Sequence, residues 1–192
     1  MKQDLVLASA SPRRRELLAS LGLEFEVRPV DLDESHRAGE TPEVFVARLA
    51  REKAAAAARP GEWVLAADTV VVIDGEILGK PADEAEARTV LARIADREHV
   101  VFTGVEVTRD GRRAGGVERT RVRMRALSEA RIAWYVATGE PLDKAGSYAI
   151  QGLGALLVEA ITGNYSNVVG LPLPLTHRLF AELGRELLDF RP

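Results

Sequence analysis

The sequence predicts an α/β fold, a mixed sheet with flanking helices, on three observations. Strand-like apolar runs alternate with capped helical segments along the chain. Two Asp-Gly pairs, Asp74-Gly75 and Asp110-Gly111, stand between strand patterns as hairpin turns. Antiparallel pairs are therefore mixed with the parallel pairs that strand–helix–strand alternation brings. No internal repeat, low-complexity tract or linker interrupts the 192 residues, which suit one domain over 1–192 with room for two lobes.

Leu5–Ala8 reads as a short buried strand. Ser11 is a good N-cap and Pro12 a good first helical residue for a helix through Leu21 that stops at Gly22. Residues 23–30 alternate like a strand, and Thr41-Pro42 opens a second helix to about Ala58, closed by Arg59-Pro60-Gly61. Trp63–Ile73 is almost wholly apolar, broken only by Asp68 and Thr69, and reads as a buried strand turning at Asp74-Gly75 into Glu76–Leu78. Asp83 begins a helix to about Ala95; strands at 99–108 and 117–126 flank Asp110-Gly111; Ser128 caps a helix ending near Gly139. Strands near 147–151 and 155–161, a Thr162-Gly163-Asn164 turn and a helix from about Pro174 to Leu188 complete the chain.

The 26 basic residues against 29 acidic ones leave a net charge of −3, which argues against a coat for nucleic acid or an anionic membrane. Zero Cys removes disulfides, thiolate zinc sites, iron–sulfur clusters and a Cys nucleophile. With 46% hydrophobic and 29% charged residues, the chain is not disordered. No apolar run approaches the ~20 residues of a membrane span. The N-terminus passes into strand-like residues without an apolar signal segment, so the expected location is the cytoplasm. There is no GxxxxGK(S/T) loop, GxGxxG fingerprint, HExxH pair or GxSxG elbow, and His36, His99 and His177 are scattered. The basic residues divide into 22 Arg and four Lys: Lys2, Lys53, Lys80 and Lys144. Where coding bias favours Arg, a retained Lys points to a place that needs a compact point charge.

Ser9-x-Ser11-Pro12-Arg13-Arg14-Arg15 puts two hydroxyls and three guanidiniums at the start of a helix that follows a strand. Helix N-termini attract anions, and three cations there oppose the helix dipole unless a polyanion such as a triphosphate compensates them. The structural alternative is a surface contact with a carboxylate such as Glu16. Asp68, inside an apolar run, is costly to bury unless paired or coordinating a cation. It suits a metal ligand or a general base, or else a carboxylate bonded to local backbone. Lys53 falls on the apolar stripe of its helix, four after Leu49 and seven after Val46. Lys80 follows Leu78-Gly79 and precedes Pro81, and Lys144 lies in Asp143-Lys144-Ala145-Gly146. Arg119, Arg121, Arg123 and Arg125 occupy one strand face opposite Val122 and Met124, a pattern expected of a solvated face.

LASASPRRRELL, Lys53 alone in the second helix, AADTVVVIDGEILGKP and PLDKAGSYAIQGLGALLVEAITGNYSNVVGLPL together resemble the Maf family of nucleoside triphosphate pyrophosphatases over nearly the whole chain. The DKAG-x-Y-x-IQG segment is most similar to the subgroup acting on dTTP and UTP, with Ala149 standing where Gly is common. The resemblance implies hydrolysis between the α and β phosphates, giving a nucleoside monophosphate and pyrophosphate, with a divalent cation, Mg²⁺ or Mn²⁺. It implies Asp68 as the acceptor of the water's proton and Lys53 and Lys80 as catalytic partners. Ser9, Arg14 and Glu34 would line the active site as substrate contacts, and Arg13, Thr69 and Gln151 would occupy the positions associated with pyrimidine specificity. On their own chemistry, Glu34 and Asp68 are the carboxylates expected to hold the metal, since Mg²⁺ usually takes one or two. Asp31-Leu32-Asp33-Glu34 places further acidic residues before Glu34 and leaves open which of them reaches it. The implied architecture is an elongated, two-lobed Maf/ITPase-like fold with a central cleft, forming a homodimer with no nucleic-acid or membrane partner. An alternative is a non-enzymatic nucleotide-binding regulator of cell division. An Arg-rich RNA binder is disfavoured by the charge of −3 and 5% aromatic content.

Overall fold

The computed structural model describes residues 4–192, so Lys2 lies outside the described residues. The order is β1 (Leu5–Leu7), α1 (Pro12–Ser20), β2 (Glu26–Val27), α2 (Pro42–Ala57), β3 (Trp63–Ile73), β4 (Glu76–Leu78), α3 (Glu84–Ile94), β5 (Glu98–Arg109), β6 (Arg112–Met124), α4 (Glu129–Val136), β7 (Val158–Thr162), α5 (Tyr165–Val169) and α6 (Leu173–Glu182). The strands hydrogen-bond in the order β2-β1-β3-β5-β6-β7, with β4 added to β3. The pairs of β1 with β2 and β3 are parallel, whereas β3–β4 and β6–β7 are antiparallel, so the sheet is mixed as expected. No helix among the described residues is long and apolar enough to cross a membrane.

The chain divides into two compact units. The first takes the described chain as far as Asp68, with Thr103–Glu118 and Gly170–Pro192; the second takes Thr69–Phe102 and Arg119–Val169. In the first unit the period of two along β3 builds two cores. Trp63, Leu65 and Ala67 pack with Leu5, Leu7, Leu18, Val105, Val107 and the α6 residues Leu175, Leu179 and Phe180. On the other face, Val64 and Ala66 meet Val6, Ala8 and Ala54 and Ala57 of α2. Gly104 lets α2 lie directly on β5, because a Cβ there would stand 2.3 Å from the Val46 carbonyl oxygen. In the second unit, Ala87, Leu91 and Ile94 of α3 and Ile132, Tyr135 and Val136 of α4 close over Val71, Ile73, Val122 and Met124.

The Arg ladder is the solvated face expected: Arg119, Arg121 and Arg123 of β6 and Arg125 just beyond it are exposed, while Thr120, Val122 and Met124 are buried. Its charges are met locally, Arg121 by Glu98 and Arg123 by Asp96 and Glu159. The Asp74-Gly75 and Asp110-Gly111 turns have φ of 53° and 80°, and 46° and 79°, the paired positive values of tight hairpins.

Several elements differ from expectation. The strand over 23–30 shrinks to Glu26–Val27, because β1 has only three residues and pairs with it at just two positions. No strand forms at 147–151: Gly146 and Ser147 take left-handed φ of 71° and 58°, which a ladder cannot accommodate, and a 3₁₀ turn at Ala145–Ser147 replaces it. The strand placed at 155–161 is β7, preceded by a 3₁₀ turn at Gly152–Leu156. The last helix ends at Glu182 ahead of a turn at Gly184, with a 3₁₀ turn at Leu187–Phe190, and α5 was not expected. Finally, β6 starts at Arg112, directly after the turn, rather than at 117.

Candidate active site

The turn from β1 into α1 is built by hydroxyls. The Ser11 side chain accepts the Arg14 N–H at 3.4 Å as the N-cap. The buried Ser9 hydroxyl oxygen accepts the Ser11 N–H at 3.2 Å and one Arg14 Nη1–H at 3.1 Å. Arg14 does not stand out at the helix start with Arg15. It is buried, and its guanidinium donates from Nε to the Gly170 carbonyl and from Nη1 to the Ala67 carbonyl, both at 2.7 Å. Burial lowers its pKa, with the charges of Asp68 and Glu34 pulling the other way. One of the three cations that oppose the helix dipole is thus turned toward carbonyl oxygens and carboxylates, leaving Arg13 half-buried and Arg15 exposed.

Asp68 follows from the β3 pleat. Val64 and Ala66 face α2, and two residues further along the same face stands Asp68. Across from it, an otherwise apolar buried stripe of α2 runs Val46, Leu49, Ala50, Lys53, Ala54 and Ala57, with Lys53 as its one charged member. The Lys53 ammonium lies 2.7 Å from Asp68 Oδ1 and 2.7 Å from Glu34 Oε1. Lys53 and Asp68 are each 8% exposed, whereas the Glu34 side chain is 54% exposed. The result is a buried ion pair with a second carboxylate at its solvent side, the pairing that burial of charge demands.

Within the acidic run, Asp33 and Glu34 turn to different partners. Asp33 accepts the Ser35 N–H at 2.9 Å, and that bond holds its carboxyl below the usual carboxylate range. Glu34 is the one that reaches Lys53. The same loop is fastened by buried Arg48 of α2, which binds both Glu40 oxygens, Glu52 and the Ser35 carbonyl. Two side-chain clusters therefore hang on one helix, Arg48 fastening the loop and Lys53 receiving its carboxylate.

Ser9, Arg14, Glu34, Lys53 and Asp68 are thus brought together in the first unit, with Arg13 beside Arg14. Thr69, Lys80 and Gln151 belong to the second unit. Thr69 is half-buried and follows Asp68 on β3; Lys80 is exposed in the loop after β4; Gln151 is half-buried, in extended conformation at the start of the 3₁₀ turn Gly152–Leu156. A backbone bond from the Gly146 N–H to the Gly79 carbonyl, 3.1 Å, ties the Lys80 loop to the segment that leads to Gln151. Lys144 donates to the Glu140 carbonyl at 2.6 Å and to Asp143. Two residues that no motif singled out, Tyr135 and Glu140, contact the chain on both sides of Gln151. The only sequence signal for them is the close glycine spacing at 152 and 154.

Among the described residues no group of three or more His, Cys, Asp or Glu side chains gathers as a metal cage. Glu34 and Asp68, converging on one ammonium, are a two-carboxylate donor set. That is the usual protein contribution to Mg²⁺, which takes its remaining ligands from water and phosphate oxygens.

A family model described as "Maf-like protein" matches residues 4–183. The dTTP/UTP pyrophosphatase of Myxococcus xanthus is 55% identical over 186 residues, 95% of this chain and 94% of that protein. The dTTP/UTP pyrophosphatase of Anaeromyxobacter dehalogenans is 53% identical over 196 residues, 100% of both chains. Among solved structures, a HAM1 protein from Coxiella burnetii overlaps 62% of this chain and 72% of that one with a TM-score of 0.44 and 20% identity.

Proposed function

This chain belongs to the Maf-like protein family, and from that premise we propose that it hydrolyses dTTP and UTP between the α and β phosphates, releasing the nucleoside monophosphate and pyrophosphate. The observation that carries the reading on this chain's own residues is the buried Asp68–Lys53 pair with Glu34 at its open side. Two relatives at 55% and 53% identity that are named for this reaction support it.

Reactions at phosphoanhydrides need charge neutralisation and positioning more than covalent catalysis. In this reading Asp68 takes a proton from the attacking water, whose oxygen forms the new bond to phosphorus as the α–β bridge breaks and pyrophosphate leaves. Lys53 fixes the Asp68 carboxylate through Oδ1. Arg14 anchors the strand one residue earlier, at the Ala67 carbonyl, and so holds the base in place. Arg13 and Lys80 are assigned as cations for the triphosphate, and the Ser9 hydroxyl as a further contact. A bound Mg²⁺ or Mn²⁺, held by Glu34 and Asp68, would supply further neutralisation of phosphate charge. Gln151 offers both a donor and an acceptor, the complement of a pyrimidine's carbonyl and N–H edge, with Thr69 and Arg13 completing the selection.

Asp68→Asn tests this. It keeps shape and can still accept a bond from Lys53, but it is a poor proton acceptor. Pyrophosphate release from dTTP and UTP should fall at least ~10³-fold with the melting temperature retained. Unchanged turnover in a folded Asp68→Asn protein refutes the assignment.

A further inference from the structure

The segment that carries Gln151 is gripped from both sides by a tyrosine–glutamate pair. Tyr135, in the last turn of α4, is fully buried, and its hydroxyl donates to Glu140 Oε1 at 2.8 Å. The same hydroxyl oxygen accepts the Ala149 N–H at 3.2 Å, two residues before Gln151. The Glu140 carboxylate accepts the Leu153 N–H at 3.0 Å and the Gly154 N–H at 2.9 Å, two and three residues after it. The loop is wrapped so closely that a Cβ on Gly154 would stand 2.2 Å from the Ala149 carbonyl oxygen and 2.6 Å from the Tyr135 hydroxyl. A Cβ on Gly152 would fall 2.8 Å from Glu140 Oε2. Lys144 completes the device by holding the Glu140 backbone carbonyl, which fixes the 3₁₀ turn Glu140–Asp143 that presents the carboxylate. Burial pushes the Glu140 carboxyl up, but the N–H groups of Gly154 and Leu153 and the Tyr135 hydroxyl outweigh it, so the group stays below its ordinary value and charged at neutral pH.

We propose that Tyr135 and Glu140 are positioning residues for base selection: their hydrogen-bonded pair fixes the 149–154 loop so that the Gln151 amide presents one fixed donor–acceptor order to the base. The inference rests on Gln151 being the residue that reads the base. An amide on a loose loop turns either end toward a ligand and accepts pyrimidine and purine edges alike. Selectivity is a difference between two affinities, and it depends on the reader being held.

The test measures kcat/KM for UTP and for GTP in the full-length protein and in Gln151→Ala, Tyr135→Phe and Glu140→Gln, with thermal unfolding of each. Tyr135→Phe keeps the buried ring and Glu140→Gln keeps the shape, so both are expected to fold. Gln151→Ala should lower the UTP-to-GTP ratio. Tyr135→Phe and Glu140→Gln should each lower it by about tenfold, through a higher KM for UTP with kcat for GTP unchanged, a split that lost stability alone does not produce. If Gln151→Ala moves the ratio but Tyr135→Phe and Glu140→Gln leave it in place, whatever their melting temperatures, the positioning role is overturned. If Gln151→Ala itself leaves the ratio unmoved, the base-reading assignment fails first, and the positioning role with it.

Discussion

Replacing Arg14 by lysine keeps the charge but removes the fork that ties three parts of the first unit together. In the native chain Nε reaches the Gly170 carbonyl at 2.7 Å, while Nη1 reaches the Ala67 carbonyl at 2.7 Å and the Ser9 hydroxyl at 3.1 Å. A lysine ends in one nitrogen. Placed for Ala67 and Ser9, it abandons the carbonyl of Gly170, which is buried. A hydrogen bond from a charged donor contributes about 1.5–3 kcal/mol, and because the bond to Gly170 is buried its loss should cost about 2–3 kcal/mol. For a chain of this length each kcal/mol moves the melting temperature by about 2–4 °C, so Arg14→Lys should lower Tm by about 4–12 °C in differential scanning calorimetry. Because Ala67 precedes Asp68, turnover should fall too, by about tenfold, through kcat. A Tm within ~1 °C of the native value would show that the guanidinium contacts do not hold this junction. Unchanged kcat would show that Asp68 does not depend on it.

Lys53→Arg should lower kcat by about 100-fold, since a planar guanidinium cannot place one nitrogen 2.7 Å from both Asp68 and Glu34 in a buried position. Lys80→Arg, on an exposed loop, should cost about tenfold; full steady-state activity in both would mean that the retained lysines carry no function. Gly104→Ala forces a Cβ to 2.3 Å from the Val46 carbonyl oxygen, so α2 must shift, and urea denaturation should show a loss of about 3 kcal/mol with reduced turnover. Burial pushes the His99 imidazole, bonded through Nε2 to the Tyr148 hydroxyl at 2.7 Å, down from 6.5 to about 4. The unfolded chain therefore binds a proton that the folded one refuses. Stability from this group is full above pH ~6.5 and is lost as pH falls toward about 4. His99→Asn should flatten the Tm profile across that window, and an equally steep profile would assign the slope to other groups.

The parts of the site that were legible in the sequence are those with a local signature. An eleven-residue apolar run with one carboxylate became β3 with the bounds read from it, Trp63–Ile73, and Asp68 is buried and paired as such a residue must be. Lys53 broke a helical stripe, and its burial beside two carboxylates is the consequence. What stayed hidden depends on partners far along the chain or on backbone conformations that residue type does not announce. The run of three arginines did not reveal that the middle one turns inward, because its acceptors are carbonyls 53 and 156 residues away. Residues 147–151, expected as a strand, form none, because the non-glycine Ser147 sits at φ 58°. That departure from regular structure lies just ahead of Gln151, where the chain must curl around the Tyr135–Glu140 pair rather than join the sheet.

The most direct measurement is ³¹P NMR of the products when the purified protein turns over UTP with Mg²⁺. The expected products are UMP and pyrophosphate in equal amounts, with the pyrophosphate signal absent when Asp68→Asn is substituted. UDP with inorganic phosphate, or tight UTP binding with no products at all, would contradict the proposed reaction.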